Sequence, residues 1–187
     1  YALKPYDTTP TTPSEYTAAG TVANGTTGRG VDTGSMRTGI AYKVHDGSEG
    51  NPSWTFPGAS DDYSPFMRGM VALTYSGTGS TWPVENTTGT DATQTGTTFS
   101  ATGAATLDYE TGDWAVIAVG HNTELATHTT PALTIAGCTV ADLTLRGSIN
   151  TTTGQDGSFY IYTAHISAGT ASGAPVFTVT TPTNESD

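Results

Sequence analysis

The sequence predicts an all-β protein, a two-sheet antiparallel β-sandwich of jelly-roll type. Three observations carry this. Threonine is the commonest residue, 40 of 187, and its β-branched side chain suits a half-wet pleated face. Helix formers are scarce, with two Lys and six Glu in the whole chain,. About ten short apolar segments recur between turn signals at roughly 8–20-residue spacing, and none shows a capped 3.6-residue period.

Taken in order, Tyr1-Ala2-Leu3-Lys4 reads as a strand end. Pro5, Pro10 and Pro13 make residues 1–13 an extended N-terminal segment, because each removes a donor and cannot sit in a central ladder,. Residues 14–187 form a single sandwich domain in this reading. Tyr16 to Val22 is a short strand, and the Gly/Thr-rich stretch from Asn24 to Ser35 is a loop,. Met36 to His45 alternates, with Ile40, Tyr42 and Val44 on one face, and Asp46-Gly47 ends it,. Trp54-Thr55-Phe56 lies between Pro52 and Pro57. Phe66 to Tyr75 follows, stopped by Gly77-Thr78-Gly79-Ser80.

The Thr/Gly/Asp stretch from Thr87 to Thr98 reads as a loop, and Thr98 to Leu107 as a weak strand. Gly112-Asp113 introduces Trp114-Ala115-Val116-Ile117-Ala118-Val119, the most apolar run. Unbroken apolarity predicts a strand covered on both faces, with Trp114 in the core. Leu133–Ala136, Asp142–Ile149, Phe159–Ile166 and Val176–Thr180 complete the series.

Charge and composition exclude several classes. Six Lys and Arg against 17 Asp and Glu leave a formal charge of −11, so binding to a nucleic-acid polyanion is not expected. Cys138 is the only cysteine, and a disulfide scaffold is impossible,. No apolar run approaches the roughly 20 residues that span a bilayer as a helix, and no membrane insertion is expected. Only 35% of residues are apolar, which in an unpatterned chain would suggest disorder. Here the apolar residues are clustered and periodic, and 17 are aromatic. The chain opens on Tyr1 without a signal-peptide pattern and reads as a processed product or a fragment,.

Few motifs point to chemistry. Asp32-Thr33-Gly34-Ser35 matches the aspartic-protease signature, whose mechanism needs two carboxylates sharing a proton. No second such tripeptide exists, no apolar strand delivers Asp32, and the segment reads as a polar loop; a protease acting through Asp32-Thr33-Gly34 is a remote alternative. His45, His121, His128 and His165 show neither i, i+2 nor i, i+4 spacing, so no metal site is expected from them,. Asp61-Asp62 and the Asp108, Glu110, Asp113 group carry oxygen ligands suited to Ca²⁺, but follow no known loop pattern and read as solvated carboxylates,. No Gly-x-Ser-x-Gly elbow or phosphate loop is present,. No catalytic residue, metal or cofactor is expected. Asn24, Asn86, Asn150 and Asn184 begin glycosylation-type triplets, which are cheap in so Thr-rich a chain. Trp54, Trp82 and Trp114 raise a glycan-binding alternative, an adhesin or receptor-binding module, because sugars dock on flat aromatic faces. Trp82, beside Pro83 in a polar loop, is the expected exposed member.

Several segments in order carry a resemblance: Gly39 through Tyr42 and the Asp46-Gly47-Ser48-Glu49 turn; Trp54-Thr55-Phe56; Val71 through Tyr75 to Gly77, with Pro83-Val84; and Thr111-Gly112-Asp113-Trp114 through Val119. Their order and spacing resemble a β-sandwich domain of tailed-phage structural proteins, over roughly residues 13–181. The resemblance implies a strand at each end beyond what is present, with Tyr1-Ala2-Leu3 as the tail of the first and Asp187 where the last would begin. Either the chain is trimmed there, or a neighbouring subunit supplies the pairing by strand addition. It further implies a non-enzymatic virion protein, a capsid decoration, head-fibre or tail component. Its partners would be other capsid or tail subunits, in multi-copy or homo-oligomeric assembly, with host-surface glycan as the alternative partner. Tyr6, Tyr16, Phe66 and Trp82 are the expected contact residues.

Overall fold

A computed structural model describes residues 2–5, 17–24, 36–42, 97–121, 127–150 and 158–180. Among the described residues the chain is all-β, without helix, and every strand pairing is antiparallel. The strands are β1 (Ala2–Pro5), β2 (Thr17–Asn24), β3 (Met36–Tyr42), β4 (Thr98–Thr102), β5 (Leu107–Tyr109), β6 (Trp114–His121), β7 (Thr129–Thr134), β8 (Cys138–Asn150), β9 (Ser158–Gly169), β10 (Ala171–Gly173) and β11 (Val176–Thr180).

Among the described residues these form four sheets, with strand orders β1-β3-β2, β10-β5, β4-β11-β7 and β6-β9-β8. Pro5 closes β1 at the edge of its sheet, opposite Met36, which is where a residue without an N–H donor is tolerated. The expected strand at 176–180 matches β11 end for end. The expected strand from Thr98 to Leu107 divides into β4 and β5. The segments Trp54–Phe56 and Phe66–Tyr75 lie outside the described residues.

The strand covered on both faces is β9, not β6. Ser158 through Ala164 are all buried, with Phe159 and Ile161 fully so. β9 is the middle strand of its sheet, hydrogen-bonded to β6 on one side and β8 on the other. Among the described residues, the apolar run of β6 lies at an edge of that sheet. Ala115 to Ala118 are half-buried, and only Val119 is buried.

One core cluster joins Phe99 of β4, Val119 of β6, Tyr160 and Tyr162 of β9, and Phe177 and Val179 of β11. Residues from two different sheets therefore share one apolar interior. Even-numbered positions of β9 supply its part of that cluster, as the period of two requires. A second cluster holds Tyr109, Ile135 and Ile166. Fully burying side chains of this size contributes about 1.5–3 kcal/mol each relative to exposure.

Candidate functional site

The turn before β6 explains one of the sequence motifs locally. Asp113 N donates to Glu110 O at 3.1 Å and closes a four-residue turn. Gly112, at its third position, has φ +102°, the left-handed conformation a type II turn needs there and glycine adopts without strain. The Asp113 carboxylate accepts from Glu110 N at 2.8 Å. Thr111 Oγ1 donates to Gly169 O at 3.1 Å. Two backbone bonds of 2.8 Å, Gly112 N to Ile166 O and Ile166 N to Asp113 O, tie the turn to β9. Thr111, Gly112 and Asp113 thus each have a structural task. Of the Asp108, Glu110, Asp113 group, Asp113 is engaged as a turn cap. Among the described residues, no three His, Cys, Asp or Glu are grouped to hold a metal ion.

That turn delivers Trp114 as the first residue of β6, and there the expectation of a core tryptophan fails. Trp114 is 52% exposed. It is the first residue of its strand. Half an indole left in water forgoes roughly 2 kcal/mol of burial. Across the ladder Trp114 faces His165 of β9, which in turn faces Ala141 of β8. The Trp114 and His165 rings lie 5.4 Å apart, tilted by 35°.

β8 supplies a third member through a bulge. Its pairing with β9 slips between Ala141 and Thr144, and Asp142 there has φ +53°. Asp tolerates this conformation better than most residues, and bulges redirect side chains. Thr144 Oγ1 donates to Asp142 O at 2.9 Å and braces the bulge. Asp142 Oδ2 lies 3.1 Å from His165 Nδ1, within ion-pair range, with the carboxylate 73% and the imidazole 28% exposed. The contact is off the line of a hydrogen bond, so Nδ1 itself is buried without a hydrogen-bond partner.

A second polar constellation is internal. His128 Nδ1 lies 2.7 Å from the Tyr162 hydroxyl, and its ring stacks on Tyr160 at 3.6 Å. Burial first, and Tyr160 second, push the Tyr162 phenol up to about 12. On the opposite face of β9, Arg146 Nε donates to Thr163 Oγ1 at 2.7 Å, giving the fully buried Thr163 hydroxyl a partner.

Tyr6, Tyr16, Phe66 and Trp82 lie outside the described residues, as do Asp32-Thr33-Gly34-Ser35, His45, Trp54 and Asp61-Asp62. His121 is placed on β6 by its backbone, opposite Ser158. The Trp114, His165 and Asp142 grouping was not anticipated. The sequence carries one signal for it: a tryptophan directly after a Gly-Asp turn stands at a strand end, where cover is thinnest. Asp142 carries no such signal, because its place depends on a bulge in a strand of another segment. No protein-family model, curated protein or solved structure matches this chain.

Proposed function

We propose that this chain is a non-enzymatic structural component of a tailed-phage particle, a capsid decoration, head or tail surface protein. In this reading the β4-β11-β7 and β6-β9-β8 sheets are the two layers of a jelly-roll-like β-sandwich. The apolar cluster they share supports that arrangement. The observation that carries the functional reading is the ordered series of segments from Gly39 to Val119, ending in Thr111-Gly112-Asp113. That last piece is built as a turn, with a separate partner for each residue.

The mechanism is mechanical. A sandwich with a sealed central strand presents loops and edges to neighbouring capsid or tail subunits, in multiple copies. Tyr6, Tyr16, Phe66 and Trp82 remain the proposed contacts. The charge of −11 keeps particles dispersed and disfavours adhesion to nucleic acid or to an anionic envelope. Mass spectrometry of purified particles tests the reading. A stoichiometric amount of this chain is the expected result, and its absence from particles overturns the proposal.

A further inference from the structure

We infer that Trp114, His165 and Asp142 form a binding site for a neutral pyranose sugar. The inference stands on this surface and does not depend on the particle reading. Trp114 is set apart from the other aromatic side chains between residues 97 and 180. Phe99, Tyr109, Phe159, Tyr160, Tyr162 and Phe177 are all buried, while Trp114 is 52% exposed. Its ring is not loose: it packs at 5.4 Å against His165, in the ladder position directly opposite. An exposed aromatic surface already held in one orientation loses little entropy on binding.

Beside it stands a carboxylate with acceptor capacity to spare. Asp142 reaches toward His165 Nδ1 at 3.1 Å without an aligned hydrogen bond and is 73% exposed. An ionised carboxylate offers about four lone-pair sites. A pyranose has an apolar C–H face and a rim of hydroxyl donors, so the C–H face fits the indole and the hydroxyls fit Asp142. Charge selects among saccharides. The charged group in the site itself is the Asp142 carboxylate, and the chain as a whole carries a formal charge of −11. Uronic and sialic acids are therefore repelled, and neutral hexoses are favoured. No covalent step is involved.

The test is calorimetric titration and saturation-transfer NMR of the full chain with cellohexaose, maltohexaose and β-1,4-galactohexaose, and with hexagalacturonate as the anionic control. At least one neutral oligosaccharide is expected to bind, and the anionic one is not. Trp114→Ala should weaken binding by about tenfold or more, the scale of one well-placed aromatic contact. Asp142→Asn should weaken it by a smaller factor, and Trp114→Tyr should restore part of the loss. Melting curves of each variant show that the fold is intact. Binding of no neutral probe overturns the inference, as does retained affinity in folded Trp114→Ala. A shift of Trp114→Ala from oligomer to monomer, with no sugar effect, overturns it in favour of a subunit contact.

Discussion

His128 and Tyr162 meet inside the protein, ring nitrogen to phenol oxygen, at 2.7 Å. They come from separate segments, His128 from the residues before β7 and Tyr162 from the centre of β9. Tyr160, two residues along the same face of β9, stacks on the imidazole, and Phe177 of β11 packs on Tyr162 with centroids 5.3 Å apart. Such a phenol is favoured in its neutral form, which can donate its proton to an imidazole Nδ1.

This relationship predicts an alkaline limit to stability. The Tyr162 phenol is raised from 10.0 to about 12 in the folded chain. Its contribution is complete below pH 10, where the phenol is protonated both folded and unfolded. Above that the unfolded phenol ionises first, so stability is lost as pH rises from 10 toward about 12,. Thermal melts across this window should fall more steeply in the parent protein than in Tyr162→Phe. At neutral pH the same substitution should cost about 1 kcal/mol, the net value of one hydrogen bond. Parallel melting curves for the two proteins between pH 9 and pH 12 would contradict the assignment.

Two glycines with nearly the same backbone should respond differently to alanine. Gly112 has φ +102° and Gly169 φ +103°. A Cβ on Gly112 meets nothing within 4 Å, whereas one on Gly169 would overlap the Gly137 carbonyl oxygen and lie 2.9 Å from the Cys138 Cα. Gly112→Ala should cost about 1–2 kcal/mol, from backbone strain alone. Gly169→Ala should cost about 2–4 kcal/mol, because backbone atoms must also shift. Urea unfolding of the two variants measures the difference, and equal losses would refute the packing at Gly169.

The bond from Arg146 to Thr163 should show the asymmetry of a half-exposed pair. Thr163 is fully buried and receives the Arg146 Nε donor at 2.7 Å. Removing the donor with Arg146→Ala strands the buried hydroxyl and should cost about 1–3 kcal/mol. Thr163→Val removes the hydroxyl and leaves the exposed guanidinium to water, so its cost should stay below about 1 kcal/mol. The double variant should be less destabilised than the sum of the two. Strict additivity in denaturant titrations would rule out the coupling.

The turn at Asp113 predicts a distinction between charge and hydrogen bonding. Its carboxylate accepts from Glu110 N at 2.8 Å. Asp113→Ala should lose about 1 kcal/mol, as at a lost cap, and Asp113→Asn should retain most of that, since its amide oxygen still accepts. Equal destabilisation by both would mean that the charge, rather than the acceptor, holds the turn.

Much of the β architecture was legible because its signals are local. The alternation of Met36 to Tyr42, the Gly112-Asp113 turn and the run from Val176 to Thr180 each depend on a few adjacent residues. Trp114 misled because apolarity along a strand does not say whether that strand is central. The neighbours on either side decide it, and they come from distant segments. β10 (Ala171–Gly173) was missed because it is three small residues with no pattern of their own; pairing with β5 makes it a strand.

Composition and local pattern alone carried the all-β character that the described residues show, the acidic charge and the lack of a disulfide framework. These follow from residue counts and from the two-residue period of a pleated backbone, which need no knowledge of partners. Tertiary structure decided which strand is sealed and which aromatic is exposed. It put β9 between β6 and β8, and through a bulge in β8 it brought Asp142 to His165. Those outcomes depend on pairing between residues many positions apart, and the free energy that selects a pairing comes from the whole buried interior and not from any one segment.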